Sequence, residues 1–258
     1  MELSLERLDL HQVQTTSRKT TRLLPSGKKR QQKVVVADET GSILCFSMKK
    51  DAIEKVFVAQ GGKEASRVEL GGDARENVFV ASSGTVRAYS KKGKEFLRFN
   101  TNLSEPIHSM WVGEEDIHTG GEYMYNQFVQ CKDTYFFMSN DRINDLTCEK
   151  ITESTLPSGG RRMEAILACH DRLIRVITGN DLLYEAAMGG PVLTVERYSN
   201  ARLATAGDTS AGVGSFGRFS DEPAGFETNK DGRYKELVFG TVSRPGRPRG
   251  PRRLGRSY

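Results

Sequence analysis

The sequence predicts an all-β fold, a degenerate WD40-like β-propeller of about five blades. Three observations carry this. A strand–turn–strand phrase recurs along the chain. The recurrences are spaced about 40–45 residues apart, the length of a four-stranded blade. Apolar residues alternate with period two over short runs, which no helix of useful length would tolerate.

The clearest copy is KVVVADETGSILCFSMKK at 33–50. An apolar run at 34–37 leads into Asp38, Glu39, Thr40 and Gly41, and a second run passes through Ile43, Cys45 and Met48. Gly41 can take the positive φ that a tight turn needs. The phrase returns as NVFVASSGTVRAYSKKGKEF at 77–96, with Gly84 lying 43 residues after Gly41. It returns more loosely at 165–187, and a truncated echo, KELVFGTV, stands at 235–242. A lone hairpin cannot bury its apolar face, so a repeated one implies neighbours that cover each other.

Taken in order, residues 3–13 fit a strand or a helix equally, and Thr21 to Leu24 leads to Pro25 and a basic loop. The first unit is expected from Lys33 through 56–59 and 67–70 to Gly71 and Gly72. The second starts at Asn77 and runs through 96–99 to the segment at 107–112, which holds the lone tryptophan, Trp111. The third is expected over 116–148, with turns at Lys132-Asp133 and Asn140-Asp141. The fourth follows a polar break at 152–162 and turns at Gly179-Asn180. The stretch 200–233 is rich in Gly, Ser, Ala and Thr and is expected to be a flexible insertion in a propeller spanning 1–242. The echo at 235–242 then lacks a partner strand, and 243–258 is expected to be a disordered Arg/Pro/Gly tail. A chain that stops within a hairpin suggests an incomplete ring: a fragment, a splice form, or a reading frame lost near Val242.

The net charge of +5 is misleading, because Arg244–Tyr258 contains six arginines and no acid, leaving a body near −1. No stretch approaches the length of a membrane helix, and the acidic start lacks the apolar centre of a signal peptide, so a soluble intracellular protein is expected. Cys45, Cys131, Cys148 and Cys169 each sit in or beside an apolar run and are expected to be buried, reduced thiols.

No motif carries catalysis, a cofactor or a metal. GVGSFG at 212–217 matches dinucleotide and kinase glycine patterns, but lacks the strand before it and the helix or strand after it that aim amides at phosphate. Cys169 and His170 are adjacent on an expected strand and so face opposite ways. His11, His108 and His118 are isolated, and Asp38, Asp133, Asp141 and Asp171 are expected to cap turns. Trp111, Tyr123, Tyr125, Tyr135, Phe136 and Phe137 are expected to fill blade cores, with any exposed subset forming an interface. The lysine clusters at 28–30, 49–50 and 91–94 are expected to solvate turns and would suit an acidic membrane surface.

The ordered phrases also carry a likeness. ERLDLHQVQTTSRKTTRLLP, QKVVVADETGSILCFSMKK, RVELGG, VRAYSKKGKEFLRFNTNLSEPI, YNQFVQCKDTYFFMSNDRINDL, LACHDRLIRVITGNDLLYEAAMGGP and LVFGT span 2–241 apart from the insertion. Together they resemble the N-terminal β-propeller of the Bardet–Biedl syndrome protein seven family, subunits of the ciliary cargo coat called the BBSome. The resemblance implies a non-enzymatic scaffold without cofactor, acting in cilium assembly and ciliary membrane-protein trafficking. It implies propeller and helical-repeat sister subunits as partners, indirect contact with membrane-protein cargo, and a location at cilium, basal body and ciliary membrane surface. Two alternatives stand beside it: an enzyme, which needs polar residues converging on the central channel, and a nucleic-acid binder working through the arginine tail.

Overall fold

In a computed structural model, the described residues are 11–26, 31–49, 52–72, 74–151, 159, 162–199, 211–215 and 235–241. Parts of the sequence reading that concern 3–10, the break at 152–158, most of the 200–233 segment and the tail from 242 onward lie outside them. The described residues form nineteen strands and no helix.

Blade 1 contains β1 (Thr21–Leu24), β2 (Lys33–Ala37), β3 (Ser42–Lys49) and β4 (Ala52–Gln60), hydrogen-bonded in that order. Blade 2 contains β5 (Arg67–Gly71), β6 (Asn77–Ser82), β7 (Thr85–Tyr89) and β8 (Glu95–Asn100) in the same order. Blade 3 contains β9 (Ser109–Val112), β10 (Asp116–Gly120), β11 (Met124–Val129) and β12 (Lys132–Met138). Blade 4 contains β13 (Ile143–Glu149), β14 (Glu164–Cys169), β15 (Leu173–Thr178) and β16 (Asp181–Ala187). The fifth sheet has three strands, β17 (Val192–Ser199), β18 (Ala211–Ser215) and β19 (Lys235–Thr241), in the order β17-β19-β18. Consecutive blades meet through their first strands: β1 with β5, β5 with β9, β9 with β13, and β13 with β17.

The phase of the repeat differs from the sequence reading. The segment at 67–70 opens blade 2 instead of closing blade 1, and Thr21–Leu24 is the first strand of blade 1 instead of a lead-in. The segments at 107–112 and 143–149 likewise move forward by one blade. The recurring phrase is therefore the hairpin between second and third strands. Which blade a following strand joins depends on which neighbour covers its faces, and alternation alone does not state that.

The packing explains why second strands read as continuous apolar runs. On β6, Val78 and Val80 pack toward blade 1 while Phe79 and Ala81 pack toward blade 3. On β14, Ala165, Leu167 and Cys169 face blade 3, and Ile166 and Ala168 face blade 5. A strand covered on both faces needs apolar residues at every position. The outermost strands face water on one side and alternate, as β8 does residue by residue. In each of the four complete blades the pairing of third and fourth strands contains one register shift, at Cys45/Phe46, Ala88/Tyr89, Gln127/Phe128 and Val176/Ile177. An extra residue there bends and twists the outer strand.

Turn chemistry departs from expectation in blade 3. The β11–β12 turn is Gln130-Cys131, both at positive φ (50° and 62°), and Lys132 and Asp133 begin β12. Cys131 is consequently half-buried in a turn, whereas Cys45, Cys148 and Cys169 are buried as expected. In the fifth sheet, β19 does find partners, both upstream: β17 and β18. It occupies the second position, as β2, β6, β10 and β14 do.

Glycine is required where connections cross between blades. Gly41 has φ 81°, and a Cβ there would lie 2.6 Å from the Lys63 carbonyl oxygen. Gly93, at φ 82°, would place one 2.6 Å from the Phe57 ring of the neighbouring blade. A Gly41→Ala variant should lose about 2 kcal/mol or more of stability, from left-handed strain and the backbone clash together. A urea midpoint indistinguishable from that of the parent would contradict this account of the turn.

Candidate functional site

Charged residues are rare inside strands with two covered faces, yet the first strands of four blades direct them toward one point. Asp145 of β13 is fully buried and receives four donors. Arg67 Nη1, from β5, donates to Oδ1 at 3.1 Å. Thr194 Oγ1 and the Val195 amide, from β17, donate to Oδ2 at 2.6 and 3.0 Å. Lys19, two residues before β1, pairs with the same oxygen. Its ammonium also reaches the Val195 carbonyl and Glu196, each at 3.3 Å.

Lys19 adopts the left-handed region, φ 61°. Its carbonyl accepts the Val68 amide of blade 2 at 3.3 Å. A non-glycine residue held there by contacts on both sides marks a position where the surroundings outweigh local preference. Arg67 is 2% exposed, and its Nε donates to Glu69 at 2.9 Å. Glu69 in turn is gripped by Arg22 of β1, with Nε at 3.1 Å and a second bond from Nη2.

Burial pushes the Asp145 pKa up, but the Arg67 guanidinium and Lys19 ammonium outweigh it and hold the carboxyl below the usual aspartate range. With both carboxylate oxygens engaged, three donors on Oδ2 and one on Oδ1, the side chain serves as a knot between blades 1, 2, 4 and 5.

The knot separates two clefts. Ile143 and Asn144 line one of about 580 Å³ together with Ser17, Arg18 and Ser66. Leu146 and Thr147 line another of about 420 Å³ with Arg22, Arg67 and Glu69. Three separate stretches thus pass from one cleft to the other through the knot, at Lys19, Arg67 and Asp145.

Two further polar groups stabilise individual blades. In blade 3, His118 is fully buried and not isolated, which corrects the sequence reading: Nε2 lies 2.8 Å from Asp116 Oδ2 and Nδ1 2.7 Å from the Tyr125 hydroxyl. An ionised carboxylate only accepts, so Nε2 carries a proton toward Asp116, and in the neutral ring Nδ1 accepts from the tyrosine hydroxyl. Trp111 stands edge-on to the imidazole at 5.4 Å. In blade 4, Arg175 is 2% exposed and binds Asp171 (2.5 Å) and Glu185 (2.7 Å).

Other residues singled out from the sequence fall as follows. Gly212 to Ser215 of the glycine run lie in β18, paired antiparallel with β19, a strand where a loop was expected. Cys169 is buried and His170 exposed, so the two do not meet. His11 and His108 are exposed. Asp38 caps its turn through the amides of Thr40 and Ser42, each at 3.0 Å, and Asp171 accepts the Leu173 amide. Asp141 accepts from Arg142, whereas Asp133 lies on β12 and meets Asn126. Tyr125 is a core residue, but Tyr123 and Phe136 are exposed, against the expectation of burial. Lys91 pairs with Glu76 at 2.7 Å. Among the described residues, no group of three or more His, Cys, Asp and Glu is placed to hold a metal.

Lys19, Arg67 and Asp145 escaped sequence reasoning. Their one signal was a charge inside or beside an otherwise apolar first strand, as in SRVELG and INDLTC.

Asp145→Asn should destabilise the fold by about 3–5 kcal/mol, because two buried cations lose their counter-charge. The lowered carboxyl contributes fully at and above the ordinary aspartate range, and its contribution is lost as pH falls through the native value. The stability gap between parent and variant, followed by chemical denaturation, should therefore narrow only in strong acid. A gap that is constant down to acid unfolding would contradict the charge assignment. Thiol chemistry supplies a second check. Burial pushes the Cys45 thiol up to about 11, Lys33 offsetting part of this, and pushes Cys148 well above its ordinary value. Alkylation of the native protein near neutral pH should mark Cys131 first, and faster labelling of Cys45 or Cys148 would refute the packing of blades 1 and 4.

Comparison with known proteins agrees with this geometry. The sequence profile of the BBS7 β-propeller family matches residues 21–218. The chain is 40% identical over 195 residues to the BBSome complex member BBS7 of Mus musculus, covering 74% of this chain and 26% of that protein. It is 30% identical over 197 residues to the BBSome complex member bbs-7 of Caenorhabditis elegans, covering 74% of this chain and 27% of that protein. The chain thus spans about a quarter of the length of these relatives. A crystal structure of BBS1N in complex with ARL6DN, soaked with mercury, shares the fold, with a TM-score of 0.53 over 87% of this chain and 65% of that one at 13% identity. With the four-stranded blades and the sequence kinship in agreement, the chain belongs to the BBS7 β-propeller family.

Proposed function

We propose that this chain is the propeller portion of a BBSome-like scaffold subunit. It acts without catalysis, through protein–protein contacts, in ciliary membrane-protein trafficking and cilium assembly. The observation that carries this reading is the kinship to two BBSome complex members, together with a family match over 21–218 that takes in all four complete blades. A location at the cilium and basal body, peripheral to the ciliary membrane, follows from the same kinship as part of the proposal.

The surface supports a role in contact-making. Large apolar side chains stand exposed on the outermost strands of all four complete blades: Val58 on β4, Phe96 on β8, Phe136 and Met138 on β12, and Leu182 and Leu183 on β16. Blades 3 and 4 bring two of these rims together, since the Phe136 amide donates to Asn180 Oδ1 at 2.9 Å, beside the start of β16. Exposed aromatic and aliphatic groups gathered at a rim are the composition of an interface core. The charged knot at the centre meanwhile has its carboxylates engaged by donors of the chain itself, which suits rigidity better than turnover.

Affinity capture of the tagged chain from ciliated cells should recover sister propeller and helical-repeat subunits. A Phe136→Glu, Leu182→Glu double variant with the parent's melting temperature should lose at least part of that set. Recovery of the folded chain alone, under conditions that preserve the endogenous coat, would overturn the scaffold reading.

A further inference from the structure

We infer that the cleft below the knot is a receptor for a short acidic–apolar segment of a partner protein, one carboxylate seated among three arginines. The inference rests on the reading that the chain works through protein contacts, and adds a specific site and a partner chemistry.

The cleft of about 420 Å³ has the volume of a few side chains and is lined by Arg22, Arg67 and Arg75. Arg67 is a built feature of the floor. It is 2% exposed, its Nε and Nη1 are engaged by Glu69 and Asp145, and its Nη2 has no partner among the described residues. Arg75 stands exposed at the rim on the turn between β5 and β6, closed by its own amide donating to the Gly72 carbonyl at 2.8 Å. Its guanidinium likewise has no partner among the described residues. Two arginine edges of the same cleft are thus left to donate, and a guanidinium presents paired N–H groups that match a carboxylate.

The charge balance selects a monoanion. Counting Lys19 and Asp145 beneath the floor, the four cations Arg22, Arg67, Arg75 and Lys19 face three anions, Glu69, Glu196 and Asp145. The surplus is one positive charge, which one carboxylate neutralises and a phosphate dianion would exceed. Beside these charges the wall carries Thr147 and an apolar strip of Leu70, Leu146 and the half-buried Trp111. That wall would cover an aliphatic or aromatic neighbour of the bound carboxylate, which a free inorganic ion lacks.

The test uses the intact chain and a short fluorescein-labelled peptide alternating glutamate and leucine, with its glutamine counterpart as control, read by fluorescence anisotropy. Arg75→Asn suits the positive φ of 51° at this position and removes the rim charge. It should weaken binding about tenfold. Lys92→Asn, on the exposed turn before β8, should leave binding unchanged, and the glutamine peptide should not bind. If the Asn variant melts below the parent, Arg75→Gly, which the same φ accommodates, replaces it. Equal weakening by Lys92→Asn would assign binding to diffuse charge and overturn the inference. So would displacement of the peptide by inorganic phosphate at matched ionic strength, which would make the cleft a phosphate site. Absence of peptide binding while coat subunits are still captured would remove this inference alone and leave the scaffold reading standing.

Discussion

Asp145 is the constraint on which the arrangement of the described blades depends. A buried carboxylate is tolerable only when its charge is matched and its lone pairs are engaged. Here the matching groups come from different blades: Arg67 from the second, Lys19 from the entrance to the first, and Thr194 and the Val195 amide from the fifth. Apolar contacts between neighbouring blades are nondirectional and would allow them to slide. The ionic knot has direction, so it fixes the angular relation of sheets that do not all touch one another. The left-handed backbone at Lys19 is consistent with this ranking, since local preference gives way to the demands of the centre.

Around the knot, each blade solves the same problem twice. Its second strand is covered on both faces and is therefore apolar throughout, while its outermost strand alternates and leaves large side chains in water. The register shift between third and fourth strands, repeated in four blades, bends the exterior strand away from the flat edge that would invite uncontrolled pairing. Rigidity is concentrated at the axis and adhesive surface at the rim. That division of labour suits the scaffold role proposed above, in which partners are held by surfaces whose mutual orientation must not change.

The two clefts follow from the same arrangement. First strands run through the knot, so each contributes residues above and below it, and on β13 the change occurs within five residues, from Ile143 and Asn144 to Leu146 and Thr147. Charges that the knot does not consume are left facing solvent at the cleft mouths. A site of this kind is a by-product of tying blades together with arginine, whose guanidinium has more donors than one carboxylate can engage.

By itself the sequence determined the fold class, the number of units, the hairpin that repeats, and the turns whose chemistry is local: Gly41, the cap at Asp38, and the pairing of a buried Cys169 with an exposed His170. These depend on periodicity and on residues within a few positions of one another, and such information is written along the chain. The phase of the blades was decided by tertiary structure, because a first strand such as Arg67–Gly71 looks the same whichever neighbour it joins. So was the turn at Gln130-Cys131, where two ordinary residues take positive φ under the demand of the hairpin. The knot was beyond sequence reasoning for a sharper reason. Lys19, Arg67, Asp145 and Thr194 are separated by tens of residues, and each alone reads as an incidental polar group. Only gathering the first strands side by side brings them within hydrogen-bonding distance, where the low dielectric makes breaking any one of their contacts costly.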